Sequence, residues 1–260
     1  MFHIHRSKPS GNRYGWIPDI PDHRDLPFSL VKPRKVKLPP VVDLRLGCTP
    51  IENQESLGSC TANALVGCLE YLDNTDGDNE YVDWSRLFLY YNERAMRGWE
   101  NEDSGAFLRD GIKSLAKDGI CSEKSWPYVI NRFDKKPGAV QYGEASLHTI
   151  TSYYRISSLD EMLACLASGF PFVFGFTVYE SFESPEVART GIVPMPKKGE
   201  KSLGGHAVTA IGYDMKDKWF RVRNSWGEDW GNKGTFCIPF AYLENDGLAS
   251  DFWYISKARV

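Results

Sequence analysis

Two spacings of apolar residues divide the chain after residue 58. Ala62, Leu65, Val66, Leu69 and Leu72 recur three and four residues apart, which predicts a helix with Ser59 as its cap. That helix is expected to end before the turn-rich run DNTDGDN at 73–79. Residues 84–97 (WSRLFLYYNERAMR) and 104–118 (SGAFLRDGIKSLAKD) predict two more helices, the second capped by Ser104 and stopped at Gly119. Beyond about residue 150 the pattern changes. One helix is predicted over 158–169, followed by strands at 170–179, 206–214, 218–226, 234–239 and 250–256. Helices first and strands second predict an α+β protein, with a helical part over about 50–150 and a β part over about 151–257.

The first 50 residues read differently, because they hold eight of the fifteen prolines. Proline lacks a backbone donor and fixes φ, so residues 1–40 are expected to form an extended leader. Its segment GWIPDIPDHRDLPF (15–28) predicts a strap along the folded body. No run of eighteen apolar residues occurs, so no membrane-spanning helix is expected. The start, MFHIHRSKPSGNRYGW, has no apolar core of a secretory signal. The expectation is a cytoplasmic protein, or one exported by a non-Sec route. The 31 basic and 34 acidic residues leave a net charge of −3, with no basic excess to bind nucleic acid. Six cysteines, at 48, 60, 68, 121, 165 and 237, form no C-x-x-C pair and are too sparse for a disulfide scaffold. Reduced thiols are expected, and no metal site.

Candidate chemistry rests on four residues. Cys60 opens the first helix behind Gly58-Ser59, where the positive end of the helix dipole favours a thiolate. His206 follows Gly204-Gly205 and opens an apolar strand, and imidazole has the intrinsic pKa of a general base near neutrality. Asn224, in RNSWGEDWGNKG, is placed to hold that ring in one tautomer, with Trp226 and Trp230 walling the bond from water. Gln54, six residues before Cys60, carries an amide able to donate to an oxygen over the helix start. Each has a plainer reading taken alone: a small buried hydrophobe, a core histidine, a turn residue, a solvated glutamine.

Taken together, the four occur in three blocks: QESLGSCTANA (54–64), GHAVTAIGY (205–213) and NSWGEDWGNKG (224–234). These blocks resemble the signatures of the papain-like cysteine peptidases, and the resemblance extends over about residues 40–257. LGSCTANA (57–64) resembles the microbial branch of that family. The run 103–128 is similar to the family's middle region, where a glycine-rich strip lines the substrate cleft. Leu57 stands where well-known relatives have a half-cystine, Thr61 replaces the aromatic residue after the nucleophile, and Glu102-Asp103-Ser104-Gly105 replaces a Cys-Asn-Gly-Gly strip. The family's disulfides near the cleft are therefore not expected. Only 53 residues precede Gln54, so the family's long helical pro-domain is not expected.

The resemblance implies a two-lobe fold, a helical lobe and a β-barrel-like lobe with the active site between them. It implies peptide-bond hydrolysis by a Cys60–His206 thiolate–imidazolium pair through a thioester. Asn224 would orient the ring, Gln54 would serve the oxyanion hole, and Trp226 would support them. Ser104, Gly105 and the backbone of Gly205 would face an extended peptide or protein substrate. No cofactor is needed. The glycines at 204 and 205 predict a pocket tolerant of a bulky apolar side chain. Residues around 14–30 are expected to cross the cleft and restrain activity as an intramolecular inhibitor. Amine transfer with the same residues, and a non-catalytic binding protein on the same fold, are the rival readings.

Overall fold

In the computed structural model, residues 14–32, 36–76 and 82–257 are described. The start of the leader and part of the 73–79 turn lie outside those ranges. The chain runs β1 (Val41–Asp43), α1 (Cys60–Thr75), α2 (Arg86–Ala95), α3 (Leu108–Lys117) and α4 (Ala139–Ala145). It continues with β2 (Ser152–Arg155), α5 (Leu159–Ala167), β3 (Phe172–Tyr179), α6 (Pro185–Thr190) and β4 (Ser202–Asp214). β5 (Trp219–Arg223), β6 (Thr235–Pro239), α7 (Phe240–Leu243) and β7 (Ala249–Ser256) complete it. The strands form one antiparallel sheet in the order β2-β7-β3-β4-β5-β6, with β1 paired beside β4.

Strand β3 explains why this is an α+β protein with two cores. Its alternate residues Phe172, Phe174, Phe176 and Val178 enter one apolar cluster, built from the β half and α5. Val173, between them, enters the other cluster, built around α1, α2 and α3. A strand covered on both faces has no polar side, so FVFGF reads as a continuous apolar run. β4 divides in the same way, with Val208 and Ala210 in the first cluster and Ala207 in the second. Thr209 Oγ1 donates to the Ala64 carbonyl at 2.8 Å and fastens α1 to β4.

Helix α1 is buried along residues 60–71, including its polar members. Each of those has a partner: Thr61 Oγ1 donates to Glu93, Asn63 Nδ2 to the Ser59 carbonyl, and Glu70 accepts from Thr49 Oγ1 and Trp84 N. Two predicted caps differ. The Ser59 hydroxyl makes no cap and lies 2.6 Å from the Tyr128 hydroxyl. Ser104 caps nothing either: Ser104 Oγ donates to the Gly105 carbonyl, and α3 starts four residues later. Ser85 and Ser158 do cap α2 and α5. α1 also runs past the expected stop to Thr75, where the Asp73 side chain accepts from Trp84 Nε1 at 2.7 Å instead of bonding its own backbone. All six cysteines are free thiols.

Candidate active site

The loop before α1 is held by the opposite half of the molecule. Gln54 N donates to the Ser225 carbonyl at 2.8 Å, Gly227 N to the Glu52 carbonyl at 3.0 Å, and Asn53 bridges to Trp226. Arg223 reaches across to the Thr49 and Pro50 carbonyls, both at 2.5 Å. The 224–234 block thus fixes the position of the 54–60 block, although 164 or more residues separate them in sequence.

Gln54 is fully buried. Its Oε1 accepts from Ser225 Oγ at 2.7 Å and its Nε2 donates to the Leu57 carbonyl at 2.8 Å. The Leu57 carbonyl can only accept, which decides which end is the nitrogen, so the amide nitrogen faces the turn that leads into α1. Tyr128 closes the loop from behind. Its hydroxyl donates to the Gln54 carbonyl at 2.8 Å and meets Ser59 Oγ, while the Arg86 guanidinium lies 4.3 Å from its ring centre. Leu57 is buried, and the neighbouring Gly58 N donates to Asp103 Oδ1 at 2.9 Å. This hydrogen bond ties the loop before α1 to the 102–105 strip.

His206 lies on β4 opposite Phe176 on β3. It is fully buried, and its Nε2 is 2.8 Å from Asn224 Oδ1. Asn224 Oδ1 also accepts from Ser225 N at 2.9 Å, which identifies it as the oxygen. Nε2 must then carry the proton, leaving Nδ1 as the basic nitrogen. Nδ1 is buried and makes no hydrogen bond. Trp226 covers the imidazole at 4.9 Å between ring centres, and Trp230 packs edge-on against Trp226 at 5.1 Å. Cys60, fully buried at the start of α1, receives the backbone N–H of Ala207, the residue next to His206, and the backbone N–H of Gly15. Burial pushes its thiol up to about 11 and the His206 imidazole down to about 4. Burial thus disfavours the charged form of each group in this covered state.

The cover is the leader. Gly15 O accepts from Ala106 N at 2.7 Å, Ile17 N donates to Ala106 O at 3.0 Å, and Trp16 N donates to Gly205 O at 3.0 Å. Of the residues expected to face an extended chain, Gly205 meets the strap through its carbonyl. Gly105 instead turns its N–H inward to the Tyr90 hydroxyl at 3.2 Å, and the ladder falls on Ala106. Ser104 bonds only its neighbour's carbonyl among the contacts described. Tyr14 lies 6.3 Å from the His206 ring and its hydroxyl bonds Glu183. Farther along, Asp19 Oδ2 accepts from Trp253 Nε1 at 3.0 Å, Asp25 pairs with Arg109 at 2.5 Å, and Phe28 is buried against Tyr254. Sequence patterning did not single out Ala106, Tyr128 or Asp251, because each works through backbone or through distant partners.

Glu93 lies beneath the helix start. It is buried, bonded to Thr61 at 2.6 Å through Oε1, and its Oε2 makes no hydrogen bond. Burial raises its carboxyl to about 8, with Asp110 adding to the rise and Arg94 and the Thr61 bond opposing it. A carboxyl raised on folding stabilises the fold fully below its unfolded pKa near 4.3, and that stability is lost as the pH climbs through 8. Unfolding by urea between pH 5 and 9 should show the wild type weakening by a few kcal/mol, on the order expected for such a shift. Glu93→Gln should remain level over the same range. Parallel pH curves for the two proteins would remove the claim.

The model of the papain family cysteine proteases matches residues 38–254. An uncharacterized peptidase C1-like protein of Acanthamoeba polyphaga mimivirus is 40% identical over 94% of this chain and 86% of its own length. Procathepsin L of Rattus norvegicus is 27% identical over 84% of this chain, which spans 66% of that relative. The crystal structure of xylellain, a cysteine protease from Xylella fastidiosa, superposes with a TM-score of 0.85 at 41% identity, covering 99% of this chain and 100% of that one. Two cores with helices on one side and an antiparallel sheet on the other are the papain-like α+β fold. The chain belongs to the papain family of cysteine proteases and is a cysteine peptidase.

Proposed function

We propose that Cys60 is the nucleophile, His206 its base, Asn224 the residue that orients the ring and Gln54 the oxyanion donor, and that residues 14–25 restrain them. The observation that carries this is the free Nδ1 of His206, made basic by the Nε2···Asn224 bond and sealed in beside the strand that contacts Cys60. With the strap displaced and a peptide in its place, Nδ1 takes the thiol proton. Sγ then attacks the carbonyl carbon. The C=O electron pair moves to oxygen, which the Gln54 amide and the Cys60 N–H stabilise. His206 returns its proton to the leaving amine as the C–N bond breaks. Water, deprotonated by the same nitrogen, opens the thioester, and the proton goes back to sulfur. Asn224 acts as the carboxylate does in serine triads, by fixing orientation.

An epoxide inhibitor of thiol peptidases tests the assignment. The intact protein should gain one inhibitor mass, mapped to the peptide that begins α1, and Cys60→Ala should gain none. Labelling of Cys48, the half-buried thiol, with Cys60 untouched would overturn it.

A further inference from the structure

Asp251 lies in β7 with a left-handed backbone, φ 59°, and is 2% exposed. An aspartate in that conformation inside a strand is strained, and three donors hold it there. Its Oδ1 accepts from Arg155 Nη2 at 2.8 Å. Its Oδ2 accepts from Trp16 Nε1 at 3.0 Å and from Asp19 N at 2.7 Å. Both donors to Oδ2 belong to the strap. When the strap lifts, a buried carboxylate oxygen loses both of these partners at the end of the slot that the indole leaves.

The slot is shaped for a large ring. A Cβ on Gly175 would come within 1.9 Å of the Trp16 indole, and one on Gly205 within 2.7 Å. Both glycines are therefore needed for the ring to enter. The charge around the slot also changes on release. Arg109 loses Asp25, paired at 2.5 Å, and Arg155 loses Asp19, paired at 3.3 Å. Two guanidiniums then face one carboxylate, which disfavours an incoming arginine or lysine. Phenylalanine can enter the slot but leaves Oδ2 without a donor.

We propose that this slot is a substrate subsite that selects tryptophan, with Asp251 Oδ2 accepting the indole N–H. The strap's own Trp16 occupies it as a mimic of substrate. The proposal rests on the peptidase reading above and on residues 14–25 being displaceable.

The test uses the full chain and fluorogenic peptides in which each position flanking the scissile bond is scanned with Trp, Phe, Leu and Arg. Every peptide displaces the same strap, so ratios of kcat/KM are free of that step. At one position Trp should exceed Phe by about tenfold or more, as expected when a site's buried acceptor meets a smaller ring that lacks the donor. Arg should rank below Phe. Asp251→Asn keeps an acceptor oxygen and should keep the preference, whereas Asp251→Ala should bring the Trp-to-Phe ratio close to one. Cleavage with Trp and Phe equal at every position, or with Arg preferred, would overturn the subsite and leave the peptidase reading standing. If neither variant folds, the wild-type ratios alone decide. If no peptide is cut at all, the peptidase reading falls and the subsite with it.

Discussion

Gln54→Ala is expected to lower kcat by about 100- to 1000-fold with KM little changed, the usual effect of deleting one oxyanion donor. The expectation follows from where the amide nitrogen is held. Ser225 fixes Oε1, so Nε2 stays on the side of the Leu57 carbonyl and the entry to α1. Charge that grows on a carbonyl oxygen above Cys60 meets that amide and the positive end of the helix together. In the proposed reading a substrate pairs with the strap's ladder partners, Ala106 and Gly205, so KM should stay. Because Gln54 is fully buried, loss of fold is the rival explanation. Ser225→Ala separates the two. It removes the anchor but leaves the amide, and should lower kcat by about tenfold, the effect of losing one hydrogen bond. An unchanged kcat in Gln54→Ala, with normal thermal unfolding, would remove Gln54 from the mechanism.

The sequence revealed the chemistry better than its cover. The four residues proposed here as catalytic, Cys60, His206, Asn224 and Gln54, stand out in the sequence because each sits in a short block whose glycines and tryptophans mark it. The order of helices and strands was legible because the apolar spacing changes near residue 150. Other features were not. The caps at Ser59 and Ser104 failed because serine bonds whichever partner is nearest, and the Tyr128 hydroxyl and the Gly105 carbonyl were nearer. The ladder fell on Ala106 because Gly105, with φ 73°, turns its own N–H toward Tyr90. Asp251 was hidden because a single acid in SDFWYIS has no pattern, and its partners lie 96 or more positions away. The upward push of burial on the thiol could not be read from the dipole alone. Burial raises the thiol and outweighs the backbone N–H groups that lower it.

Gly15→Ala is expected to raise kcat/KM by up to about 100-fold. A Cβ at residue 15 would lie 1.7 Å from the Gly58 carbonyl oxygen and 2.4 Å from its carbon. Those atoms belong to the backbone that enters α1, so the strap must yield rather than the helix. Lifting it breaks the Ala106 N to Gly15 O bond of 2.7 Å and the Trp16 N to Gly205 O bond of 3.0 Å. Two such bonds contribute about 1–3 kcal/mol, or about 5- to 150-fold in the open population. The effect should also depend on pH with a defined sign. Burial, with Asp251 beside it, raises the Asp19 carboxyl to about 6 in the docked strap, despite Arg109 and Arg155. A carboxyl raised by docking favours docking fully below its free pKa near 3.9 and loses that contribution as the pH rises through 6. The raised Cys60 thiol acts in the same direction at higher pH, since forming the thiolate opposes the covered state. Restraint of the wild type should therefore weaken between about pH 4 and 6, and Gly15→Ala should gain most at the acidic end of that range. Alkylation of Cys60 by iodoacetamide offers a readout independent of substrate: it should be faster in Gly15→Ala and begin at lower pH. Equal alkylation rates across that pH series would mean the leader does not govern access to the thiol.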